Sequence, residues 1–213
     1  MIEVADNFLS ESNEIVTLLS PSGERFSIHA GPLAHQSRYF RTALNSCFRE
    51  AADRSFSLTH HCNNEVLEIF TNWIYLKSCA VKYKIQDVAF MSEKNQDVAI
   101  KAWLFGDHIG APLFQTDMMR FLLDWEESFF DCDLFQEFGP HVPEGCGLEK
   151  YLVDMFCFLM IRERKDEPSA MMKWLPPRLV EKVFQKLVQN ALRVVSDGDW
   201  KIGKASRYKV MEQ

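Results

Sequence analysis

"RFSIHAGPLAHQSRYFRTAL", residues 25–44, changes its periodicity midway, and that change decides the fold. Phe26 and Ile28 alternate with Arg25 and Ser27, the two-residue period of a half-buried strand. Beyond His29 the apolar positions Leu33, Phe40, Ala43 and Leu44 recur at helical spacing, and a break at Gln36-Ser37 predicts two short helices in place of one long one. Upstream, "EIVTLL", 14–19, is rich in β-branched and apolar residues, and "SPSGE" behind it supplies Pro21 and Gly23 for a turn, so a β-hairpin is expected. His29 marks the handover from strand to helix. With no Cys, Asp or second His at ligand spacing, its expected task is to hydrogen-bond backbone groups at that junction.

Downstream, "SFSLT", 55–59, reads as a short strand, and Asn63-Asn64 supplies a helix N-cap before "EVLEIFTNWIYLKS". In that helix Val66, Phe70, Trp73 and Ile74 form one stripe. Residues 79–96 suit a strand or a loop edge. From Asp97 a helix sets Ala99, Ala102, Trp103 and Gly106 on one side and ends near Gly110, and Pro112 opens another, "LFQTDMMRFLLDW". Residues 124–149 hold eight Asp or Glu and no Lys or Arg. Such polarity, ending in "GPHVPEGCG", predicts a surface linker. "LEKYLVDMFCFLMI" and "PPRLVEKVFQKLVQNALRVV" return to helical periodicity, and the pattern stops at Ser196. The expected organisation is a tail over 1–13, a domain over 14–125, an acidic linker over 126–147, a helical extension over 148–195 and a mobile tail over 196–213.

With 213 residues, 47% of them hydrophobic, the chain can build a sizeable core. Its net charge of −6 disfavours nucleic acid as the main partner, because neutralising phosphates takes a surplus of Lys and Arg. The six cysteines include no C-x-x-C pair and read as reduced thiols. The start of the chain lacks a signal-peptide pattern, and no run of eighteen apolar residues occurs, so an intracellular protein of the cytoplasm or nucleus, off the membrane, is expected.

Tests for chemistry return little. "GDWKIGKAS" gives Gly198, Gly203 and Lys204 a P-loop spacing, but Ala205 follows the lysine where a hydroxyl would be needed for magnesium. His60-His61-Cys62 is the best metal cluster, yet adjacent histidines do not readily face one ion, and an exposed polar turn is the simpler reading. Asp131 and Asp133 open like a calcium loop that Phe135 and a missing glycine interrupt. The carboxylates of 124–149 leave open an intracellular hydrolase with a general acid/base pair. No cofactor, metal site or catalytic residue is assigned.

Taken together, "VTLLSPSGERFSIHAGPLAHQSRYFRTAL", "FREAADRSFSLTH", "VLEIFTNWIY" and "AWLFGDHIGAPLFQ" resemble a BTB/POZ domain, particularly those of fungal proteins with a short C-terminal helical extension. The family pattern, Phe-x-x-His and then Leu, Ser and aromatic-Phe, falls on Phe26, His29, Leu33, Ser37, Tyr39 and Phe40. The resemblance implies an α+β fold: a small, mainly three-stranded sheet flanked by a helical cluster, with the C-terminal helices added. It implies a non-enzymatic interaction module that self-associates as a homo-oligomer and docks a cullin as a ubiquitin ligase adaptor.

The family's cullin-facing motif, hydrophobic-x-Glu, corresponds to Phe48-Arg49-Glu50. An apolar plug beside an orienting carboxylate is one reading of these residues, and a plain loop with Phe48 tucked under the core is the other. Asn13-Glu14 and Ala30 depart from the charged pocket through which some members bind peptides. A nuclear transcription-regulatory partner is the third reading, and its nucleic-acid surface is not supplied by the composition.

Overall fold

The computed structural model describes residues 14–47, 49–78, 96–124, 133–162 and 175–197. The chain divides into two compact units, an N-terminal one up to Leu122 and a C-terminal one beginning at Leu123. The fold is mixed α+β, predominantly helical, with one three-stranded sheet.

In the N-terminal unit, β1 (Ile15–Leu19) and β2 (Arg25–His29) form an antiparallel hairpin in which Val16 faces Ile28 and Leu18 faces Phe26. The turn between them places Gly23 at φ +85°, a left-handed conformation that costs glycine little. β3 (Ser55–Ser57) joins the other edge of β1 in parallel, with Phe56 beside Leu18, giving the order β2-β1-β3. Val16, Leu18, Ile28 and Phe56 are buried on the sheet's inner face.

Between β2 and β3 lie α1 (Ala30–Gln36), α2 (Arg38–Leu44) and α3 (Arg49–Asp53). The helix break falls at Ser37, whose extended backbone (φ −132°, ψ 124°) separates α1 from α2. Its fully buried hydroxyl accepts from Phe40 N–H at 3.2 Å and donates to the Ile109 carbonyl at 2.6 Å. Two further bonds follow in register: Arg38 N–H to the Gly110 carbonyl (3.0 Å) and Tyr39 N–H to the Ile109 carbonyl (3.1 Å). The first-turn amides of α2, which no helix can satisfy internally, are thus met by the end of a distant helix.

That helix is α5 (Gln96–His108), which follows α4 (Asn64–Ser78) and precedes α6 (Pro112–Asp124). Asn63 caps α4 as its sequence suggests, its side-chain oxygen accepting from Val66 N–H at 2.8 Å. Nearly every residue of α5 from Val98 to Gly106 is buried, so this helix is the spine of the unit rather than an amphipathic surface helix. Phe70 and Trp73 of α4 pack with Phe105 and Phe114 at ring separations of 5.0–5.3 Å. Trp73 Nε1–H donates to the buried Asp117 carboxylate at 2.9 Å, and Lys77 and Arg120 pair with the same group. Three donors compensate one carboxylate that burial alone would make costly.

The C-terminal unit holds α7 (Asp133–Phe138), a 3-10 turn (Gly139–His141), α8 (Gly147–Arg162) and α9 (Pro177–Asp197). The stretch from 133 to 147 is therefore not a plain acidic surface linker: Leu134, Phe135, Phe138 and Val142 are buried, and Phe135 meets Phe156 edge-on at 5.0 Å. Its charge count hid an apolar pattern at helical spacing. The helix α9 runs to Asp197, so helix, and not the expected tail, holds Ser196 and Asp197. The ambiguous residues 79–95, the hairpin's lead-in at 1–13 and the P-loop-like spacing at 198–204 lie outside the described residues.

Replacing Ser37 with Ala removes an N-cap and a buried hydroxyl together. The expected loss is about 1–2 kcal/mol, read as a lower urea midpoint at unchanged m-value; an unchanged midpoint would show that the junction is held without this hydroxyl.

Candidate functional site

The six signature residues fall into two groups. Leu33, Ser37 and Phe40 are buried, and Phe26 is half-buried beside Leu18. Phe40 and Phe56 meet edge-on at 5.4 Å, joining α2 to the sheet. Tyr39 lies across from this pair, 5.0 Å from Phe40 and 6.5 Å from Phe56, yet stays 42% exposed. An aromatic face of a ring rooted in the core is thus left at the surface.

His29 corrects the sequence expectation. Its side chain makes no capping bond to the backbone of α1. Instead, its Nδ1 lies 2.9 Å from the Tyr75 hydroxyl, which also accepts from His29 N–H at 3.2 Å. The imidazole thus ties the hairpin to α4. Sequence spacing carried no sign of Tyr75, which lies on a different element.

Of the expected partner motif, Phe48 lies outside the described residues. Arg49 is exposed and bonded to Asp53 at 3.0 Å along α3. Glu50 is exposed as well, and it borders a groove of about 730 Å³. Arg38, Tyr39 and Thr42 of α2 form one wall, Phe56 lies beneath, and Asp107, His108 and Gly110 at the end of α5 close the far side. The structure therefore brings Glu50 and Tyr39 together with residues that sequence reading did not single out. Gly110 is at φ +62°, and a Cβ there would come within 3.1 Å of Arg38 Cβ, so the junction beside the groove depends on a glycine. The groove's lining mixes charges, Arg38 with Glu50 and Asp107, and includes the aromatic residues Tyr39 and Phe56.

The acidic stretch behaves otherwise. Glu137 and Glu144 are exposed. Glu149 is buried in the first turn of α8, where one oxygen accepts from Gly145 N–H and from Lys182, each at 2.7 Å. This reciprocal arrangement caps α8 and pins α9 to it. Lys182 answers with a pKa raised above its ordinary range, chiefly through the bond to Glu149. Arg178 donates to the carbonyls of Gly139 and Val142, satisfying the loop ahead of α8. Asp154, also buried, pairs with Lys186. Asp131 and the other carboxylates of 125–132 lie outside the described residues.

Among the described residues, no group of three or more His, Cys, Asp or Glu is placed to hold a metal ion, and no helix is long and apolar enough to cross a membrane. Burial pushes the Cys62 and Cys157 thiols up to about 12, with Asp154 adding to the effect at Cys157. Comparison of the chain with protein-family models and with curated protein sequences returns no match.

The shifts at Cys157 and Lys182 act in one direction. A thiol raised from 9.0 to about 12 favours folding fully below pH 9 and progressively less above it. The raised lysine likewise stabilises the fold below its ordinary value of 10.5 and loses that contribution above. Urea midpoints should therefore fall from pH 9 upward, with Cys157→Ala flattening the earlier part of the decline; a midpoint independent of pH up to 11 would contradict the assignment.

Proposed function

We propose that the chain is a non-enzymatic protein–protein interaction module of the BTB/POZ type, which associates with itself and serves as an adaptor to a cullin scaffold. The observation that carries this reading is the groove in which Glu50 and the half-exposed Tyr39 share one rim with the end of α5. Two supports stand beside it. The element order, a hairpin, a pair of short helices, a third strand and then further helices, is the order that the resemblance implies, with the short helix α3 and the parallel pairing of β3 as additions to it. The Ser37 position of the signature has a physical task, since its hydroxyl joins α2 to α5.

The rim offers a partner one aromatic face, one carboxylate and a shallow apolar floor. A partner side chain laid over Tyr39 and Phe56 gains buried area, and the charge at Glu50 selects its register through a basic or hydrogen-bond-donating group. Glu50 lies on a helix anchored by the buried Ala51, so the carboxylate is presented from a fixed backbone. The described buried acids of the C-terminal unit, Glu149 and Asp154, pair with lysines of α9, which favours a structural role for them.

A pull-down tests this directly, with a cullin and a differently tagged second copy of the chain as baits. The wild-type chain is expected to be retained by both, and the variant carrying Glu50→Lys with Phe48→Ala is expected to lose the cullin at least tenfold while keeping the second copy. Equal failure of wild type and variant on the cullin removes the adaptor reading, and failure on the second copy removes self-association.

A further inference from the structure

His60 and His108 are far apart in sequence and adjacent in the fold. His60 follows β3, His108 is the last residue of α5, and their ring centres are 5.1 Å apart with planes inclined at 50°. Both side chains are exposed, and among the described residues neither imidazole has a hydrogen bond or an ion pair. The separation is compatible with one ion shared by both rings. Nitrogen–metal bonds of about 2.0–2.1 Å set a bound ion about 3.2 Å from each ring centre, and the tetrahedral angle then holds the centres about 5.2 Å apart. Ordinary ring contacts span about 4.5–7 Å and include this distance, so it is the pairing of two exposed imidazoles without hydrogen-bond partners that points to a ligand.

We propose that His60 and His108 together bind one borderline divalent transition-metal ion, of the zinc or nickel class. Neutral imidazole is a preferred donor for such ions, and two protein ligands leave the remaining positions to water or to a donor atom on a docked partner. A two-ligand site is exchangeable, unlike a closed structural zinc centre. His108 also borders the groove, alongside Glu50, Asp107 and Arg38. The two carboxylates add negative potential near the ion, and the guanidinium opposes it. Metal binding by the pair does not depend on the docking role of the groove. It also differs from the His60-His61-Cys62 cluster of the sequence, because the second ligand comes from another element.

Isothermal titration of the untagged full chain with NiCl₂, at a pH above the usual imidazole range, is the test. One ion per chain is expected. His60→Asn and His108→Asn should each weaken binding about tenfold or more, whereas His61→Asn should leave it within about twofold. Melting curves without metal check that all three variants are folded. No binding by the wild-type chain, or undiminished binding by both His60→Asn and His108→Asn, would overturn the proposal.

Discussion

A single hydroxyl settles how the N-terminal unit is assembled. Ser37 interrupts two short helices, and its buried Oγ serves the Phe40 amide on one side and the Ile109 carbonyl on the other. Helices of seven residues are too short to be stable alone, so α1 and α2 persist only through what they pack against. The amides of Arg38 and Tyr39 bond to the carbonyls of Gly110 and Ile109, which makes the start of α2 and the end of α5 one hydrogen-bonded junction. Around it the aromatic residues Phe40, Phe56 and Tyr39 order themselves, with only Tyr39 reaching solvent.

The groove is a consequence of that junction. Its walls are the two elements the junction joins, and α3 brings Glu50 to the rim because Ala51 is anchored in the core. Any change that loosens Ser37 or adds a side chain at Gly110 would alter the spacing of the rim before it unfolded the sheet. The C-terminal unit solves a similar problem with charges: Arg178 and Lys182 of α9 reach back to the carbonyls and the carboxylate that precede or open α8. At these two junctions, distant residues satisfy polar groups that local structure leaves open.

Local patterning was legible in the sequence wherever one element explains itself. The hairpin, the break at Ser37, the Asn63 cap and the helix opening at Pro112 are all set by residues within a few positions of one another. Pairings across the fold were not legible: Ser37 with Ile109, His29 with Tyr75, and His60 with His108 each join elements whose proximity only tertiary packing creates. The acidic stretch misled for a different reason. Its eight carboxylates dominate the composition, while Leu134, Phe135 and Phe138, spaced to fall on one helical face, carry the fold. Glu50 was singled out through its place in a motif, and its neighbours Asp107, His108 and Gly110 had no local signal beyond the end of a helix.

The Ser37 junction fixes the geometry of the rim proposed for docking, and native-state amide hydrogen exchange tests this most directly. The Arg38 and Tyr39 amides, bonded to Gly110 and Ile109, are expected to exchange as slowly as the core amides of α4 in the wild-type chain, and to gain a faster local opening in Ser37→Ala while α4 stays protected. Fast exchange of both amides in the wild-type chain, at the rate of exposed loop positions, would contradict the account.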